Sequence, residues 1–316
     1  MENDLYKVRS FGGCLKAAYD IFSTNLKHIF RRTWLPAVIF AVLSSITMIA
    51  VVSMSTIMAN LVTPPPVSSI ALGGIGLLIL FLVTYSAYAW FYTSIISLLN
   101  GESFKHNLPR MIRLVLLILG IGIVFGLIVT AASTIPLVGE KSPAALAKAS
   151  VTSTVITSVL MIVFVVVILP LSYSMMKYCI ETKSKLFSVF KKPYIIGWKH
   201  WGYIFIVTFL CGIILLVIDF IASLPLTVTT FASSFNSLGL TMGDPSGLPG
   251  YFNILSFIAG LISTFIMIYV SAWYTCVAYY VYGHIEAKEK AKKEMAEVPK
   301  AEETSKSVEP DFEEIR

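Results

Sequence analysis

Residues with the right types for chemistry are few in this chain, and their spacing already narrows what they can do. There are four histidines, His28, His106, His200 and His284. Three of them follow a lysine, as Lys27-His28, Lys105-His106 and Lys199-His200. A membrane-bound metal enzyme needs several histidines clustered at helical spacing, and neither HxxH nor HxxxH occurs. No metal and no cofactor are therefore expected. A lysine beside a histidine at a membrane surface does offer positive charge to phosphate. Lys27, His28, Lys105, His106, Lys199 and His200 are accordingly candidate contacts for lipid headgroups, with ordinary interfacial residues as the other reading.

Ionisable groups inside apolar runs are the usual pointer to transport or catalysis. Asp219 is the only acidic residue inside an expected span, about one turn from the outer end of the fifth. Lys177 falls at the inner end of the fourth span. Together with Ser271 they form a candidate intramembrane polar site. Asp219 would contact a substrate or cation, or else sit at the interface as a solvated carboxylate, and Lys177 would snorkel to the surface. A transport pathway would draw on hydroxyls such as Thr84, Ser172, Ser174 and Ser271. Nucleotide-binding loops, GxSxG and paired carboxylates are absent from the sequence, so no catalytic residue is named and no enzyme is expected. Cys14, Cys179, Cys211 and Cys276 form no CxxC pair, and free thiols are expected. Lipidation of Cys14 or Cys179 has no specific signal behind it.

The elements that must position these residues are membrane helices. Of 316 residues 56% are hydrophobic and only 13% charged, with mean hydropathy +0.80, where a soluble domain has about a quarter charged. Trp34 to Met58 carries no charge and as a helix would cover about 37 Å, enough to cross a hydrocarbon core of about 30 Å. Six spans are expected, at about 34–58, 70–99, 114–132, 151–178, 202–222 and 251–282. No cleavable leader is expected, because the first long apolar run begins only after some thirty residues.

Connections between spans carry an orientation signal. Lys7, Arg9, Lys16, Lys27, Arg31 and Arg32 precede the first span. Lys105, Arg110 and Arg113 lie in the second connection, and Lys183, Lys185, Lys191, Lys192 and Lys199 in the fourth. Only Lys141 and Lys148 fall in the odd-numbered connections. Both termini are thus expected in the cytosol. The net charge of +6 sits beside the membrane and gives no support to nucleic-acid binding.

The pattern also repeats. A basic segment with aromatics precedes each odd span (IFSTNLKHIFRR, ESFKHNLPRMIR, KLFSVFKKPYIIGWKHW), and a proline turn follows it (NLVTPPP, STIPLV, SLPLTV). The fold expected is all-α, six transmembrane helices as three parallel hairpin repeats, each preceded by an amphipathic interfacial segment. Residues 1–33 would be a cytosolic interfacial helix, with its apolar face running from Phe11 to Phe30, and 34–284 the membrane domain. Ser223 to Gly250 reads as a flexible outer loop. Gly122 and Gly126 read as a small-xxx-small packing pair, and Pro170 as a kink. Tyr269, Trp273 and Tyr280, with Tyr85, Trp90 and Tyr92, read as interfacial anchors or packing. In the tail, 285–316, Glu286–Lys290 and Glu289–Lys293 would pair at i,i+4, and disorder would follow Pro299.

The basic segment IFSTNLKHIFRRTWLPAVIFAVL and its repeats resemble a group of bacterial six-span membrane proteins. These include the membrane domain sometimes fused to glycerophosphodiester phosphodiesterases. The resemblance covers about residues 10 to 284. It implies a membrane module of the bacterial cytoplasmic membrane without the hydrolase activity, since no soluble barrel is present. The function expected is a non-enzymatic accessory or scaffold acting on membrane lipids, with a protein partner reached through the C-terminal tail. A small transporter or permease, with a pathway between the hairpins, is the alternative.

Overall fold

The computed structural model describes residues 2–59, 66–139, 142–243 and 247–306, and among these every element is helical. The α-helices are α1 (Glu2–Leu5), α2 (Phe11–Thr24), α3 (Leu26–Ala59), α4 (Val67–Asn100), α5 (Phe104–Thr134), α6 (Pro143–Ile180), α7 (Lys192–Lys199), α8 (Trp201–Thr241) and α9 (Phe252–Lys306). Six of them, α3, α4, α5, α6, α8 and α9, are long and apolar enough to cross a membrane, the mark of a multi-pass membrane protein. In the most apolar window of α4 and of α5 only 11% is buried inside the protein, so the apolar surface of these helices is left for a hydrocarbon solvent.

Local chemistry explains the boundaries. Ser10, Ser103 and Ser142 cap α2, α5 and α6, their hydroxyls accepting from the backbone N–H of Gly13, His106 and Ala145. Gly101 ends α4 in the left-handed region at φ 72°, the conformation that favours glycine. The Asn25 side chain donates to the Ile21 carbonyl at 2.7 Å and closes α2. The interfacial helix expected within 1–33 therefore stops at Thr24, and Leu26 onward already belongs to α3. Likewise the second basic segment is the first turns of α5 and not a separate element.

Two further expectations are corrected. An outer loop is expected from Ser223 to Gly250, yet α8 runs unbroken to Thr241. Its polar residues satisfy themselves along the helix: Thr229 and Thr230 donate to the Leu226 carbonyl at 2.9 and 2.8 Å, and Ser234 to Thr230 at 3.0 Å. Pro225 is carried inside the helix, with Ser263 of α9 donating to the nearby Ala222 carbonyl at 2.7 Å. At the other end of the chain, α9 continues past Pro299 to Lys306, through a run of helix-forming Ala, Glu and Lys. Residues 307–316 of the tail, and most of the first proline turn (60–65), lie outside the described residues.

Helix α9 stands at the centre, packed against α3, α8, α6, α4 and the N-terminal helices, while α5 leans only on α4, α6 and the short turns beside them. Gly122 and Gly126 of α5 face open space, where an added Cβ would meet nothing within 4 Å. They are no packing pair within this chain, because no other helix covers that side of α5. Pro170 of α6 cannot supply a backbone N–H to the Val166 carbonyl. The Trp201 indole N–H takes that carbonyl at 3.1 Å, and the Tyr194 hydroxyl donates to Val167 at 2.9 Å. Gly197 of α7 lies directly over Pro170, where a Cβ would come within 2.5 Å of its carbonyl oxygen. Gly197→Ala is therefore expected to lower the detergent thermal midpoint of the purified protein, by an overpacking cost of about 1–3 kcal/mol. Gly120→Ala, with open space around it, is expected to keep the midpoint or raise it slightly, since alanine is the better helix former.

Candidate functional site at the basic end

Charged residues collect where the N-terminal segment, the 101–103 turn, the α6–α8 connection and the last turns of α9 meet. Lys177 of α6 lies 2.6 Å from Glu286 of α9 and 3.2 Å from Glu181. Tyr173 donates its hydroxyl to Glu286, and Tyr282 donates to Glu181 at 3.2 Å. The two tyrosines are each 1% exposed. Lys177 therefore does not snorkel outward as expected but is held between two carboxylates. One helical turn farther along α9, Glu289 takes His200 at 2.9 Å. The expected i,i+4 pairs of Glu286 and Glu289 with Lys290 and Lys293 are not made. Both carboxylates lie on the face of α9 turned to its neighbours, where a partly buried charge gains most from an ion pair. Glu181, Tyr282, Glu286, Glu289 and Tyr6 line an open cleft of about 540 Å³ beside this cluster.

A second set of contacts fastens the N-terminus. Leu5 is 2% exposed and packs on Gly283, where a Cβ would come within 2.4 Å of the Leu5 carbonyl. The Arg9 backbone N–H donates to His284 Nδ1 at 2.9 Å, which places the ring proton on Nε2. The His284 ring stacks on Tyr203 at 3.8 Å. The Tyr203 hydroxyl reaches the Arg9 carbonyl at 3.1 Å and Cys14 Sγ at 3.0 Å. The Arg9 guanidinium lies over the Tyr280 ring at 4.7 Å. Outside the spans, burial pushes the Cys14 thiol above its ordinary value, and the Lys7 ammonium bonded to Asp4 holds that carboxyl below its own.

A third set closes α6. The Arg110 guanidinium reaches the carbonyls of Tyr178, Glu181, Thr182 and Ser184 and lies over the Tyr178 ring at 4.3 Å. The Tyr178 carbonyl is one that the end of α6 leaves without an intrahelical partner, and the other three belong to the turn that follows the helix. Beside it, Asn100 and Asn107 exchange side-chain amide hydrogen bonds, each at 3.1 Å.

The residues singled out by sequence are thus dispersed. Lys27, His28, Lys105, His106 and Lys199 are exposed, while His200 turns inward to Glu289. Asp219 is exposed on α8 and makes no ion pair among the described residues. Ser271 accepts from Tyr92 at 2.7 Å, and Thr84 lies 3.2 Å from Thr47. Ser172 and Ser174 donate to backbone carbonyls of their own helix. Asp219, Lys177 and Ser271 are therefore not brought into one site. Tyr269 packs between Phe30 and Phe91 instead of anchoring at an interface. All four cysteines are free and buried. No group of histidine, cysteine and carboxylate residues able to hold a metal occurs among the described residues.

Sequence reading missed Glu286, Glu181, Tyr173, Tyr282 and Arg110. The available signal was a lysine at the end of an apolar run with no local partner, which demands a carboxylate from another helix. Comparison of the chain with protein-family models, with curated proteins and with solved structures finds no match.

Two outcomes follow from these contacts. Lys177→Met alone is expected to destabilise the protein by about 1.5–3 kcal/mol, the worth of a charged hydrogen bond. Adding Glu286→Gln is expected to recover part of that loss in a double-mutant cycle read by thermal unfolding. Cys14 is expected to resist a water-soluble maleimide at pH 7 in the intact protein, and to react at least tenfold faster once residues 2–9 are deleted, as followed by mass shift.

Proposed function

We propose that this chain is a non-enzymatic accessory of the bacterial cytoplasmic membrane that holds anionic phospholipid at its basic end. The observation that carries the reading is a division among the cations there. Lys177, Arg110 and His200 are taken up by partners inside the protein. Lys27, Lys105 and Lys199 are exposed and make no ion pair among the described residues. Those three lysines come from three different parts of the chain and remain available to phosphate. The connection from α6 to α8 adds exposed Phe187, Phe190, Ile195 and Trp198 beside Lys185, Lys191 and Lys192. Apolar side chains alternating with lysines suit the boundary between acyl chains and headgroups.

The basic end is assigned to the cytosol, together with both termini, by the excess of lysine and arginine in its connections. In this reading α3–α4, α5–α6 and α8–α9 are three parallel hairpins that run out and back, and each enters the membrane from a basic segment. The far end of α9, rich in Lys and Glu, is the surface offered to a protein partner. The resemblance to six-span bacterial membrane modules agrees with this reading without supplying it. Hydroxyls that a transport pathway would use are bonded to one another or to their own helices, which favours the accessory reading over a permease.

The test is lipid selectivity. With about 1 kcal/mol for each lysine near an anionic surface, replacing Lys27, Lys105 and Lys199 with glutamine is expected to weaken the preference for phosphatidylglycerol over phosphatidylcholine roughly a hundredfold. The readout is native mass spectrometry of lipids retained by the purified protein. Equal retention by wild type and triple variant would overturn the assignment of the headgroup site.

A further inference from the structure

We propose that a crevice between α3 and α5, floored by α4, holds one acyl chain of a membrane phospholipid. The crevice exists because α3 and α5 do not touch, although each packs on α4. It has a volume of about 590 Å³, within the range of roughly 300–1,000 Å³ usual for ligand sites. Phe40 and Met48 of α3, Phe81, Tyr85 and Tyr88 of α4, and Ile118 of α5 line it. At about 1.5 Å per residue these positions lie about 18 to 33 Å from the basic-end termini of their helices. That depth is inside three helices long and apolar enough to cross a membrane. The crevice is thus reached sideways from hydrocarbon, and an acyl chain is what a bilayer supplies there.

Its wall is built for carbon. Thr47 and Thr84 approach each other at 3.2 Å, and each hydroxyl also lies within reach of a carbonyl of its own helix, 2.7 Å from Leu43 and 2.8 Å from Leu80, so that each single proton has an acceptor within the wall. Their polar atoms are spent on one another and on backbone. The rings are fixed by mutual contact, Phe40 with Tyr88 at 5.5 Å and Phe81 with Tyr85 at 6.4 Å between centroids. Tyr88 in turn packs on Tyr92 at 4.4 Å, and Tyr92 bonds Ser271 of the central helix. The walls are therefore held open by the bundle itself and do not need a ligand to shape them. The hydroxyls of Ser44 and Tyr85 are polar points on an otherwise apolar lining. A void of this size at bilayer depth loses dispersion contacts along its whole wall unless something fills it. The inference rests on the reading of the protein as a lipid-holding module, but on a different surface from the lysines.

The experiment uses the full chain in vesicles of phosphatidylethanolamine and phosphatidylglycerol that contain a phosphatidylglycerol with a diazirine in mid-chain. After irradiation, labelled peptides are mapped by mass spectrometry. Label is expected on 40–51 and 81–88 at least fivefold above 158–166 of α6, where Val159, Ile162 and Val163 are exposed and are not among the residues that line the crevice. Filling the crevice with Ser44→Phe and Ile118→Trp is expected to bring its label down to the α6 level. Even labelling of wild type overturns the proposal whether or not the filled variant folds. Even labelling with the anionic preference intact overturns the crevice alone and leaves the lysine reading standing. Irradiation products that join two copies of the chain through 40–51 or 81–88 overturn it in favour of a second copy as occupant.

Discussion

The contact on which the rest of the bundle depends is the pairing of Lys177 with Glu286. It joins α6 to α9 at 2.6 Å, at the level where both helices leave their apolar runs. A helix in hydrocarbon can slide along its neighbours at small cost, since lipid tails are as apolar as leucine. A charge at the end of the apolar run removes that freedom, because an unpaired carboxylate near the membrane is expensive. With the register of α9 set, its other face follows. Gly283 meets Leu5, His284 meets the Arg9 N–H, and Glu289 meets His200. One helix thus collects the N-terminal segment, the end of α6 and the start of α8 within two turns of its length.

Prolines make a second kind of joint. Each proline within a helix leaves a carbonyl without its usual donor, and in a membrane the replacement must come from protein. At Pro170 it comes from Trp201, with Gly197 thin enough to let α7 lie against the gap. Beside Pro225 the Ser263 hydroxyl of α9 donates to the Ala222 carbonyl, the neighbour of the one that the proline leaves without its donor. What looks like a weakness in the single helix becomes a specific docking point between helices. That is how α8 is tied to α6 at one end and to α9 at the other.

Much of this architecture is legible in the sequence, and the limits have physical causes. Hydropathy located all six apolar helices, because a run of uncharged residues has one solution in a membrane. It placed their ends poorly. The stretch after Ser223 has the serine and threonine content of a loop, yet those hydroxyls bond back to their own helix and cost it little. Local spacing suggested that Glu286 and Glu289 would pair with Lys290 and Lys293, but the partners lie in α6 and at the start of α8, far away in sequence. The three Lys-His pairs look alike as letters and differ in space, since only His200 faces α9. Asp219 stands out because it is rare, and the structure places it on an exposed face with no ion pair among the described residues.

The two ends of the bundle are therefore built on different principles. At the basic end polar side chains interlock, and Tyr173, Tyr282 and Ile285 are almost wholly buried. Farther along, α3 and α4 still pack on each other, but among the long helices described α5 leans on α4 and α6 only, and its outer residues Ile123, Val124 and Leu127 are more than half exposed. A transporter needs helices that separate and close around a polar path. Here the polar contacts lock the basic end, and the loosely packed region is lined by carbon. A charged rim above a crevice of apolar and aromatic side chains suits the proposed grip on an amphiphile, with phosphate at one level and hydrocarbon at the next. The division of labour between the two ends, more than any single residue, is what directs attention to lipid.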